Sequence, residues 1–312
     1  MVDNKRYQVI IIGAGPAGLT ASIYARRAGL SCLVIERGVA GGNMFVGGWI
    51  ENYPGFPEGI SGSELSQRMD DQAKRLGVEF IQTTVNGLGI KDKVKEVNTD
   101  KGAIEASAVI VATGCQYRKL GVPGEGRLIG GGVSYCATCD GNFFRNQRVA
   151  VIGGGNAAVQ SALYLGKLAS EVYIIHRRDQ LRAVKALQEM AFKSPNIHMV
   201  WDTVAEAIEG QKQVEKLKLL NKKTGEPSEL AVEGVFIYVG IKPNIEFLKG
   251  LLDLTEDGYI RAGEDTRTSV PGVFAAGDVR GKPALQIVTA VGDGCSAAGA
   301  VEEYLLEIEA TP

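Results

Sequence analysis

Two cysteines separated by two residues are the part of the sequence best suited to redox chemistry. Cys136 and Cys139 flank an Ala-Thr pair, and this spacing brings both sulfurs within bonding reach in a helical turn. The dipole of such a turn also lowers the pKa of a thiol and favours the reactive thiolate. Asp140 follows directly, and a carboxyl group beside a dithiol can pass a proton to a departing thiolate or to the substrate. We therefore predict a redox-active cysteine pair with a neighbouring general acid.

A metal site is the main alternative for a close cysteine pair. A structural zinc site needs four ligands, but the chain has no second Cys-x-x-Cys, and its two histidines, His176 and His198, lie far from the pair. The same scarcity of histidine argues against a Cys-His hydrolase. The other cysteines, Cys32, Cys115 and Cys295, are expected to be buried packing residues. Five cysteines in 312 residues are too few for a disulfide scaffold, so we expect a reducing, cytoplasmic compartment.

A glycine-rich turn near the N-terminus predicts a dinucleotide site. Residues 13–18 have the pattern Gly-x-Gly-x-x-Gly, and Glu36 ends the next predicted strand. In this pattern the first glycine permits a tight turn, the second lets the backbone approach a pyrophosphate, and the third packs the helix on the strand. Glu36 is placed to accept a hydrogen bond from an adenosine ribose and to repel a 2′-phosphate. We expect FAD or NAD here; a ligand-free turn is the alternative that the strand-helix-strand context disfavours.

The same pattern recurs 140 residues later with the opposite charge at its end. Gly153 and Gly155 belong to a second glycine-rich turn, and His176 occupies the position that Glu36 has in the first copy. Three arginines surround this position: Arg177, Arg178 and Arg182. Guanidinium groups donate paired hydrogen bonds to a phosphate that a plain ribose lacks. The pattern therefore predicts NADPH at this second site, and a solvated basic patch is the alternative.

Alternating strands and helices must position these motifs. The strands are predicted over 9–12, 31–35, 149–152 and 171–175, with helices over 19–28 and up to Leu165. The apolar run 270–278 is predicted as a further strand of the first sheet. The fold class is therefore α/β, with two Rossmann-like domains and the NADPH domain inserted into a discontinuous FAD domain.

The insertion sets the predicted domain boundaries. The chain is expected to cross between the domains near Tyr117 and Asn244. Residues 1–116 and 245–312 then form the FAD-binding domain, and residues 117–244 form the NADPH-binding domain that carries the redox disulfide.

Composition argues against nucleic-acid and membrane partners. The formal net charge is −2 and the pI about 5.9, so the chain lacks the basic excess of a polyanion-binding protein. The apolar stretch 9–24 resembles a signal peptide, but three glycines and Pro16 interrupt it. No stretch reaches the roughly 20 apolar residues of a membrane helix.

Several ordered motifs resemble those of the low-molecular-weight thioredoxin reductases of bacteria and archaea along essentially the whole chain. They are the runs 13–18, 51–56, 112–114, 136–140, 153–156, 176–178 and 277–278. The resemblance implies a homodimer that passes electrons from NADPH through FAD to the disulfide, and then to thioredoxin or a thioredoxin-like or glutaredoxin-like protein. It also implies that Cys139 faces the flavin, that Cys136 attacks the protein substrate and that Asp140 is the acid.

The resemblance implies further cofactor contacts, carried over position by position. Contacts with FAD are implied for Gly13, Gly15, Pro16, Ala17, Gly18, Glu36, Arg37, Gly41, Gly42, Asn43, Asn52, Val85, Ala112, Thr113, Gly114, Gly277, Asp278, Gln286, Ile287 and Ala290. Contacts with NADPH are implied for Gly153, Gly155, Asn156, Ala157, His176, Arg177, Arg178 and Arg182.

Three residues depart from the family pattern. Leu285 stands where an arginine precedes Gln286, Asn43 replaces a glutamine, and Gln160 replaces an acid. Leucine cannot donate the hydrogen bonds of an arginine, so we expect part of the FAD to dissociate on dilution. Two other functions stay open: a thioredoxin reductase driven by ferredoxin or free flavin, and a flavin redox sensor or electron-transfer protein without turnover. The three arginines argue against the first, because its members have lost the nucleotide-binding arginines.

Overall fold

A computed structural model describes residues 6–46 and 48–310. The chain divides into two compact units. The first comprises the residues up to Gln116 and those from Lys242 onward, and the second is Tyr117–Ile241. The chain thus leaves the first unit after Gln116 and returns to it after Ile241, where the sequence prediction places these passages after residues 116 and 244.

Nineteen strands and seven α-helices lie within the described residues. The strands are β1 (Tyr7–Ile12), β2 (Cys32–Glu36), β3 (Trp49–Ile50), β4 (Ile60–Ser61), β5 (Glu79–Gln82), β6 (Val85–Lys91), β7 (Val94–Thr99), β8 (Gly102–Val111), β9 (Cys115–Tyr117), β10 (Val133–Ser134), β11 (Arg148–Ile152), β12 (Glu171–Ile175), β13 (Ile197–Val200), β14 (Thr203–Glu209), β15 (Lys216–Asn221), β16 (Pro227–Ala231), β17 (Gly234–Ile237), β18 (Ile241–Pro243) and β19 (Val273–Ala275). The helices are α1 (Pro16–Arg27), α2 (Asn43–Val46), α3 (Gly62–Arg75), α4 (Ala137–Asp140), α5 (Asn156–Leu165), α6 (Lys185–Lys193) and α7 (Ile287–Ala310), with short 3-10 helices at Gly141–Phe144 and Glu246–Leu248.

A seven-stranded sheet forms the centre of the first unit. Its strand order is β5-β2-β1-β8-β7-β6, and β19 pairs with β8. The strands β5, β2, β1, β8 and β19 are parallel, whereas β7 and β6 join as antiparallel neighbours. Because β19 comes from the last part of the chain, the prediction that the run 270–278 supplies a strand to the first sheet is confirmed.

Helices α1, α3 and α7 cover one face of this sheet. Their apolar side chains form one core with the inward residues of β1, β2 and β8, including Val9, Leu19, Ile110 and Val301. A second core on the other face joins these strands to β7 and to residues 248–260. Strands buried on both faces are expected to be nearly continuous apolar runs, which is why β1 could be found in the sequence.

The second unit repeats the strand-turn-helix-strand arrangement. Its five-stranded sheet is wholly parallel, with the order β10-β17-β11-β12-β13. A separate antiparallel sheet has the order β14-β15-β16. The predicted strands 149–152 and 171–175 and the helix ending at Leu165 are confirmed. The first predicted helix begins three residues earlier than expected, at Pro16, because proline is well tolerated in the first helical turn.

No helix among the described residues is long and apolar enough to cross a membrane. Within the same residues, no group of three or more histidines, cysteines or acids is placed to hold a metal ion.

Candidate active site and nucleotide sites

Cys136 and Cys139 form a disulfide in the second unit, with Cα atoms 5.3 Å apart. Both cysteines are partly exposed: Cys136 directly precedes α4, and Cys139 lies within it. The predicted pairing is confirmed. The predicted effect of a helix dipole on the thiol pKa stays a prediction: α4 has four residues, and the 3-10 helix Gly141–Phe144 follows it directly.

Asp140 lies on the same turn as the disulfide, in a partly buried position. Burial raises the pKa of this carboxyl above its ordinary value, and a hydrogen bond from Ser134 partly opposes that rise. The Ser134 hydroxyl donates to Asp140 Oδ2 at 2.6 Å. A carboxyl whose pKa is raised by burial is a better proton acceptor than an exposed aspartate and is suited to exchange a proton with a nearby thiol.

Two hydroxyl groups that the sequence analysis missed hold the backbone of the disulfide turn. Ser134 Oγ accepts a hydrogen bond from the Cys136 N–H at 3.0 Å, and the Tyr238 hydroxyl accepts one from the Ala137 N–H at 2.8 Å. Ser134 lies at the end of β10 and Tyr238 directly follows β17, so adjacent parallel strands place them together. Tyr238 could not be found from the sequence because 101 residues separate it from Ala137.

A cavity of about 640 Å³ lies within the first unit, at the carboxyl ends of β1 and β2. This is the edge of a parallel sheet at which α/β proteins bind ligands. The predicted flavin residues that line it are Gly13, Gly15, Pro16, Ala17, Glu36, Arg37, Gly42, Asn43, Val85, Ala112, Thr113, Gly114, Gly277, Asp278, Gln286, Ile287 and Ala290.

Gly13 and Gly18 show why the first turn is glycine-rich. Gly13 has φ +106°, and a Cβ there would lie 2.4 Å from the carbonyl oxygen of Ala112 on the neighbouring strand. A Cβ on Gly18 would lie 1.9 Å from the carbonyl oxygen of Gly13. Gly18 does not line the cavity; it brings α1 against the turn, the packing role expected of the third glycine. No heavy atom lies within 4 Å of a Cβ built on Gly15, so a ligand can approach its backbone.

The Glu36 carboxylate is held at the end of β2 by two backbone amides. Ala14 N–H donates to Oε2 and Gly38 N–H donates to Oε1, each at 2.8 Å. These bonds join the carboxylate to the glycine-rich turn and fix it at the cavity wall. It retains acceptor capacity for a ribose hydroxyl, since each carboxylate oxygen can accept more than one hydrogen bond.

Two buried polar atoms in the cavity wall have no hydrogen-bond partner. They are Thr83 Oγ1 and Asp278 Oδ1. Burial raises the pKa of Asp278, and the ammonium group of Lys282, 3.5 Å from Oδ1, opposes that rise. Buried polar atoms normally have partners, so this wall is suited to a ligand rich in hydroxyl groups, such as FAD. Thr83 gave no signal in the sequence because it belongs to no recognised motif.

Asn43, Gly41 and Asn52 have supporting positions around the same cavity. Asn43 Nδ2 donates to the carbonyl oxygen of Cys115 at 2.9 Å. Asn52 does not line the cavity, but its Nδ2 donates to Oε1 of Gln286, which does, at 3.1 Å. Gly41 also lies outside the lining and donates its N–H to the carbonyl oxygen of Ala14 at 2.7 Å.

Cys115 is a lining residue that the sequence analysis assigned to packing. Burial raises the pKa of its thiol to about 12, so it is an unreactive thiol at neutral pH. Cys32 is likewise buried, whereas Cys295 is only partly buried, contrary to the prediction for all three.

The second glycine-rich turn connects β11 to α5 and holds the arginine-bearing segment by backbone bonds. Gly153, Gly155, Asn156 and Ala157 lie in or beside this turn. The amide of Arg182 donates to the Gly154 carbonyl oxygen at 2.7 Å. Asn156 Oδ1 accepts a hydrogen bond from the Val184 N–H at 2.9 Å. Asn156 therefore ties the turn to the segment that carries Arg182.

His176 differs from the three arginines predicted to share its site. Arg177, Arg178 and Arg182 are exposed, but His176 is 5% exposed. Its ring fills the space left by Gly154, where a Cβ would lie 2.3 Å from Cε1. Burial lowers the pKa of the imidazole, and the neighbouring guanidinium charges add to this effect. His176 thus packs beneath the turn in a neutral form, and the positive charge of the site comes from the arginines.

Most of the chain matches one known protein family. Residues 7–294 match the family described as pyridine nucleotide-disulphide oxidoreductase. The matched range includes the Cys136–Cys139 disulfide and both glycine-rich turns.

Individual relatives narrow the assignment. The chain is 49% identical to a thioredoxin reductase of Streptomyces coelicolor, over 95% of this chain and 93% of the relative. It is 46% identical to one of Bacillus subtilis, over 100% and 98% of the two chains. A crystal structure of thioredoxin reductase from Streptococcus pyogenes matches with a TM-score of 0.94 and 46% identity, covering 98% of this chain and 100% of that one. The chain therefore belongs to the thioredoxin reductases within the pyridine nucleotide-disulphide oxidoreductase family, and the resemblance seen in the sequence is confirmed.

Proposed function

We propose that this protein is a thioredoxin-disulfide reductase that passes electrons from NADPH through FAD and the Cys136–Cys139 disulfide to thioredoxin or a thioredoxin-like protein. The observation that carries the proposal is the disulfide on a turn shared with a partly buried carboxyl, Asp140. Two nucleotide sites with opposite charge at the ribose position supply the route for the electrons, with Glu36 at one and the exposed arginines at the other.

FAD fits the cavity of the first unit. When bound, it supplies a ring system that accepts two electrons from NADPH and passes them to the disulfide. Glu36 would hold the adenosine ribose, Thr83 would use its unpartnered hydroxyl on the cofactor, and Asp278 would bind another cofactor hydroxyl through the carboxylate that Lys282 pairs with. We accordingly assign residues 1–116 and 245–312 to FAD and residues 117–244 to NADPH, with the site residues as the resemblance implies.

The reduced cysteine pair carries out the thiol chemistry. We assign the attack on the disulfide of the protein substrate to Cys136. We assign to Cys139 the role of the sulfur that faces the flavin and receives its electrons. The Asp140 carboxyl can take the proton of the attacking thiol and return it to the leaving thiolate. Its raised pKa supports this assignment, because an acid-base group works best when its pKa is near the working pH.

Partner, assembly and location complete the proposal. We propose a homodimer located in the cytoplasm, with a thioredoxin-like or glutaredoxin-like protein as substrate and no nucleic-acid or membrane partner. The free cysteines Cys32, Cys115 and Cys295 are consistent with a reducing compartment. Light scattering on the purified protein tests the assembly, and a monomer at micromolar concentration would refute it.

Rapid mixing under anaerobic conditions tests the activity. We expect NADPH to bleach the flavin within a single turnover, and oxidised thioredoxin to restore its colour while gaining thiols. A flavin that NADPH does not bleach, but that reduced ferredoxin or free reduced flavin does, would point to the ferredoxin- or flavin-driven reductase. Bleaching by NADPH without thiol formation in any thioredoxin of the same genome would point to a redox sensor.

Single cysteine variants test the two sulfur roles. Cys139→Ser leaves Cys136 free, and we expect it to form a covalent mixed disulfide with a single-cysteine thioredoxin activated at its thiol. Cys136→Ser retains Cys139 and should form little of this complex. Non-reducing gel electrophoresis reports the outcome, and a complex formed mainly by Cys136→Ser would reverse the two assignments.

A further inference from the structure

Ser134 stands between the Cys136 backbone and the Asp140 carboxyl. Its side chain is buried, with 4% of the residue exposed. The hydroxyl oxygen accepts a hydrogen bond from the Cys136 N–H at 3.0 Å, and the hydroxyl donates to Asp140 Oδ2 at 2.6 Å. The carbonyl oxygen of Cys136 lies 3.3 Å from the same hydroxyl and is a second acceptor for it.

A serine hydroxyl has one hydrogen to donate, so these two acceptors compete for it. When Asp140 is ionised, the shorter bond to its Oδ2 uses the serine hydrogen, and the charge strengthens that bond. When Asp140 is protonated, its own proton can be donated to Ser134 Oγ, and the serine hydrogen can turn to the Cys136 carbonyl oxygen. The two protonation states of Asp140 therefore correspond to two hydrogen-bond arrangements around the Cys136 peptide.

We propose that Ser134 is a positioning residue that stabilises ionised Asp140 and couples the protonation of this carboxyl to the backbone of the attacking cysteine. The inference rests on the proposed function. In the exchange with the protein substrate, Asp140 takes the proton of the Cys136 thiol as the thiolate attacks the substrate disulfide. A new sulfur-sulfur bond forms, the substrate bond breaks, and Asp140 returns the proton to the leaving thiolate. Ser134 enlarges the fraction of the enzyme in which the Asp140 carboxylate is ionised and able to accept this proton, so the exchange remains active to lower pH.

The surroundings of Asp140 leave Ser134 as its main polar contact. The hydrogen bond from Ser134 lowers the pKa of Asp140 against the larger effect of burial. The titratable groups that face Asp140 are Tyr238, from the segment after β17, and the two cysteines of the disulfide. The pKa of the Tyr238 phenol is raised by burial, so this group is neutral at working pH and adds no charge.

The test removes the hydroxyl and follows the titration of Asp140 in the oxidised holoenzyme. Ser134→Ala should raise the apparent pKa of Asp140 by about one unit or more, because a hydrogen bond to a charged group is lost while burial remains. Infrared difference spectroscopy, with Asp140→Asn to identify the carboxyl band, reports this pKa without turnover. If Ser134→Ala does not fold, Ser134→Gly removes the same group.

Two further variants separate positioning from a purely structural role. Ser134→Thr retains the hydroxyl and should restore the wild-type titration. Ser22→Ala is the matched control, because Ser22 is a fully buried serine whose hydroxyl donates to the Leu19 carbonyl oxygen in the first unit. It should leave the pKa of Asp140 unchanged. An unchanged pKa in Ser134→Ala, or an equal shift in Ser22→Ala, would overturn the proposal.

Kinetics supply the second readout. With NADPH-reduced holoenzyme and oxidised thioredoxin, Ser134→Ala should move the acid limb of the rate profile upward by the same pH interval as the titration. A uniform fall in rate with no movement of that limb would overturn the coupling to Asp140. Since the infrared titration requires no substrate, a wild-type protein that fails to reduce thioredoxin would refute the proposed function while still allowing Ser134 to be judged.

Discussion

At the scale of single residues, Asp140 is the group whose chemistry depends most on its surroundings. Burial raises the pKa of Asp140, and the hydrogen bond from the Ser134 hydroxyl lowers it in part. Asp140 also lies on the same turn as the disulfide, directly after Cys139. Burial disfavours the ionised form of this carboxyl, so it holds its proton to a higher pH than an exposed aspartate does. The sequence pattern predicted that Asp140 is the acid, but it carried no information about the burial that raises the pKa of this carboxyl.

Asp140→Asn tests the acid-base role. An amide cannot exchange the proton, so we expect reduction of thioredoxin to slow by roughly a hundredfold or more, in line with the usual size of acid-base effects. Bleaching of the flavin by NADPH should keep its wild-type rate constant, because that step does not use the carboxyl. Stopped-flow absorbance measures both steps, and equal slowing of the two would exclude a role confined to thiol chemistry.

Only the site residues that belong to sequence motifs could be predicted. Cys136, Cys139, Asp140 and Glu36 were found because each stands at a fixed place in a known pattern. His176 has such a place too, yet its ring is buried beneath Gly154, because what fills the space beside a glycine depends on packing. Tyr238 and Thr83 could not be predicted, since strand pairing and not sequence spacing brings them to their sites.

At the scale of elements, the junction between β7 and α7 contains an unusual buried charge. Lys95 is 1% exposed, and its Nζ donates to the Asp92 carbonyl oxygen and to the Tyr304 hydroxyl, each at 3.3 Å. Burial lowers the pKa of this lysine. No carboxylate forms a salt bridge with Lys95 among the residues that the structure describes.

This lysine makes a specific prediction for stability against pH. Because the folded-state pKa lies below the unfolded value, the unfolded chain holds more protons between the two values. The free energy of unfolding should therefore rise with pH in that window, by at most ~1.4 kcal/mol per unit. Below the folded-state pKa, Lys95 is protonated in both states, so the free energy of unfolding no longer changes with pH through this group. Lys95→Met should remove this rise. Denaturant titrations of the wild type and of this variant over alkaline pH would measure the difference. The matched substitution Lys93→Met, at a less buried lysine, should retain the rise.

The segment just before α7 contains Leu285, one of the three residues that depart from the pattern of the resemblance. Leu285 precedes Gln286, which lines the cavity, and the resemblance noted in the sequence implies an arginine at this position. Lys282 already places a cation, 7% exposed, between Asp278 and Asp293. Arg280 contributes a second buried cation, with its Nη1 3.2 Å from Asp293 Oδ1, whereas the leucine at position 285 has no group that can donate to a cofactor.

Leu285→Arg should tighten the retention of FAD, because it restores donors beside the cavity. Fluorescence of FAD released on serial dilution gives the dissociation constant, which we expect to fall about tenfold if one charge-assisted bond forms. Leu254→Arg adds the same charge at an exposed leucine of the same unit and should leave the constant unchanged. If both variants behave as wild type, the existing contacts already suffice to hold the cofactor.

At the scale of the whole molecule, one strand-turn-helix-strand arrangement occurs twice, with Glu36 at the end of the first copy and exposed arginines after the second. The β1-α1-β2 and β11-α5-β12 segments were predictable because buried parallel strands and glycine-rich turns leave strong local patterns. The antiparallel sheet β14-β15-β16 was not predicted, because half-exposed strands lack such runs. The main difference between the two copies is the charge after the second strand, which is negative at Glu36 in one and positive at Arg177 and Arg178 in the other.

The exposed arginines should make the enzyme selective for NADPH. Each charge-assisted contact to the 2′-phosphate contributes about 1.5–3 kcal/mol, so two or three favour NADPH over NADH by roughly a hundredfold or more in kcat/KM. The preference should lie in KM, because the 2′-phosphate is remote from the transferred hydride and its contacts stabilise ground and transition states equally. High salt should weaken the preference by screening.

The double variant Arg177→Ala/Arg178→Ala tests this selectivity in steady-state kinetics with both nucleotides. We expect a raised KM for NADPH, an unchanged kcat and nearly unchanged turnover with NADH. Arg127→Ala/Lys212→Ala removes the same charge elsewhere in the second unit and should retain wild-type selectivity, which separates local contacts from a general loss of positive potential. Equal use of NADH and NADPH by the wild type would contradict a phosphate pocket. Use of neither nucleotide would instead favour reduction by ferredoxin or free flavin, since the arginines would then serve no nucleotide.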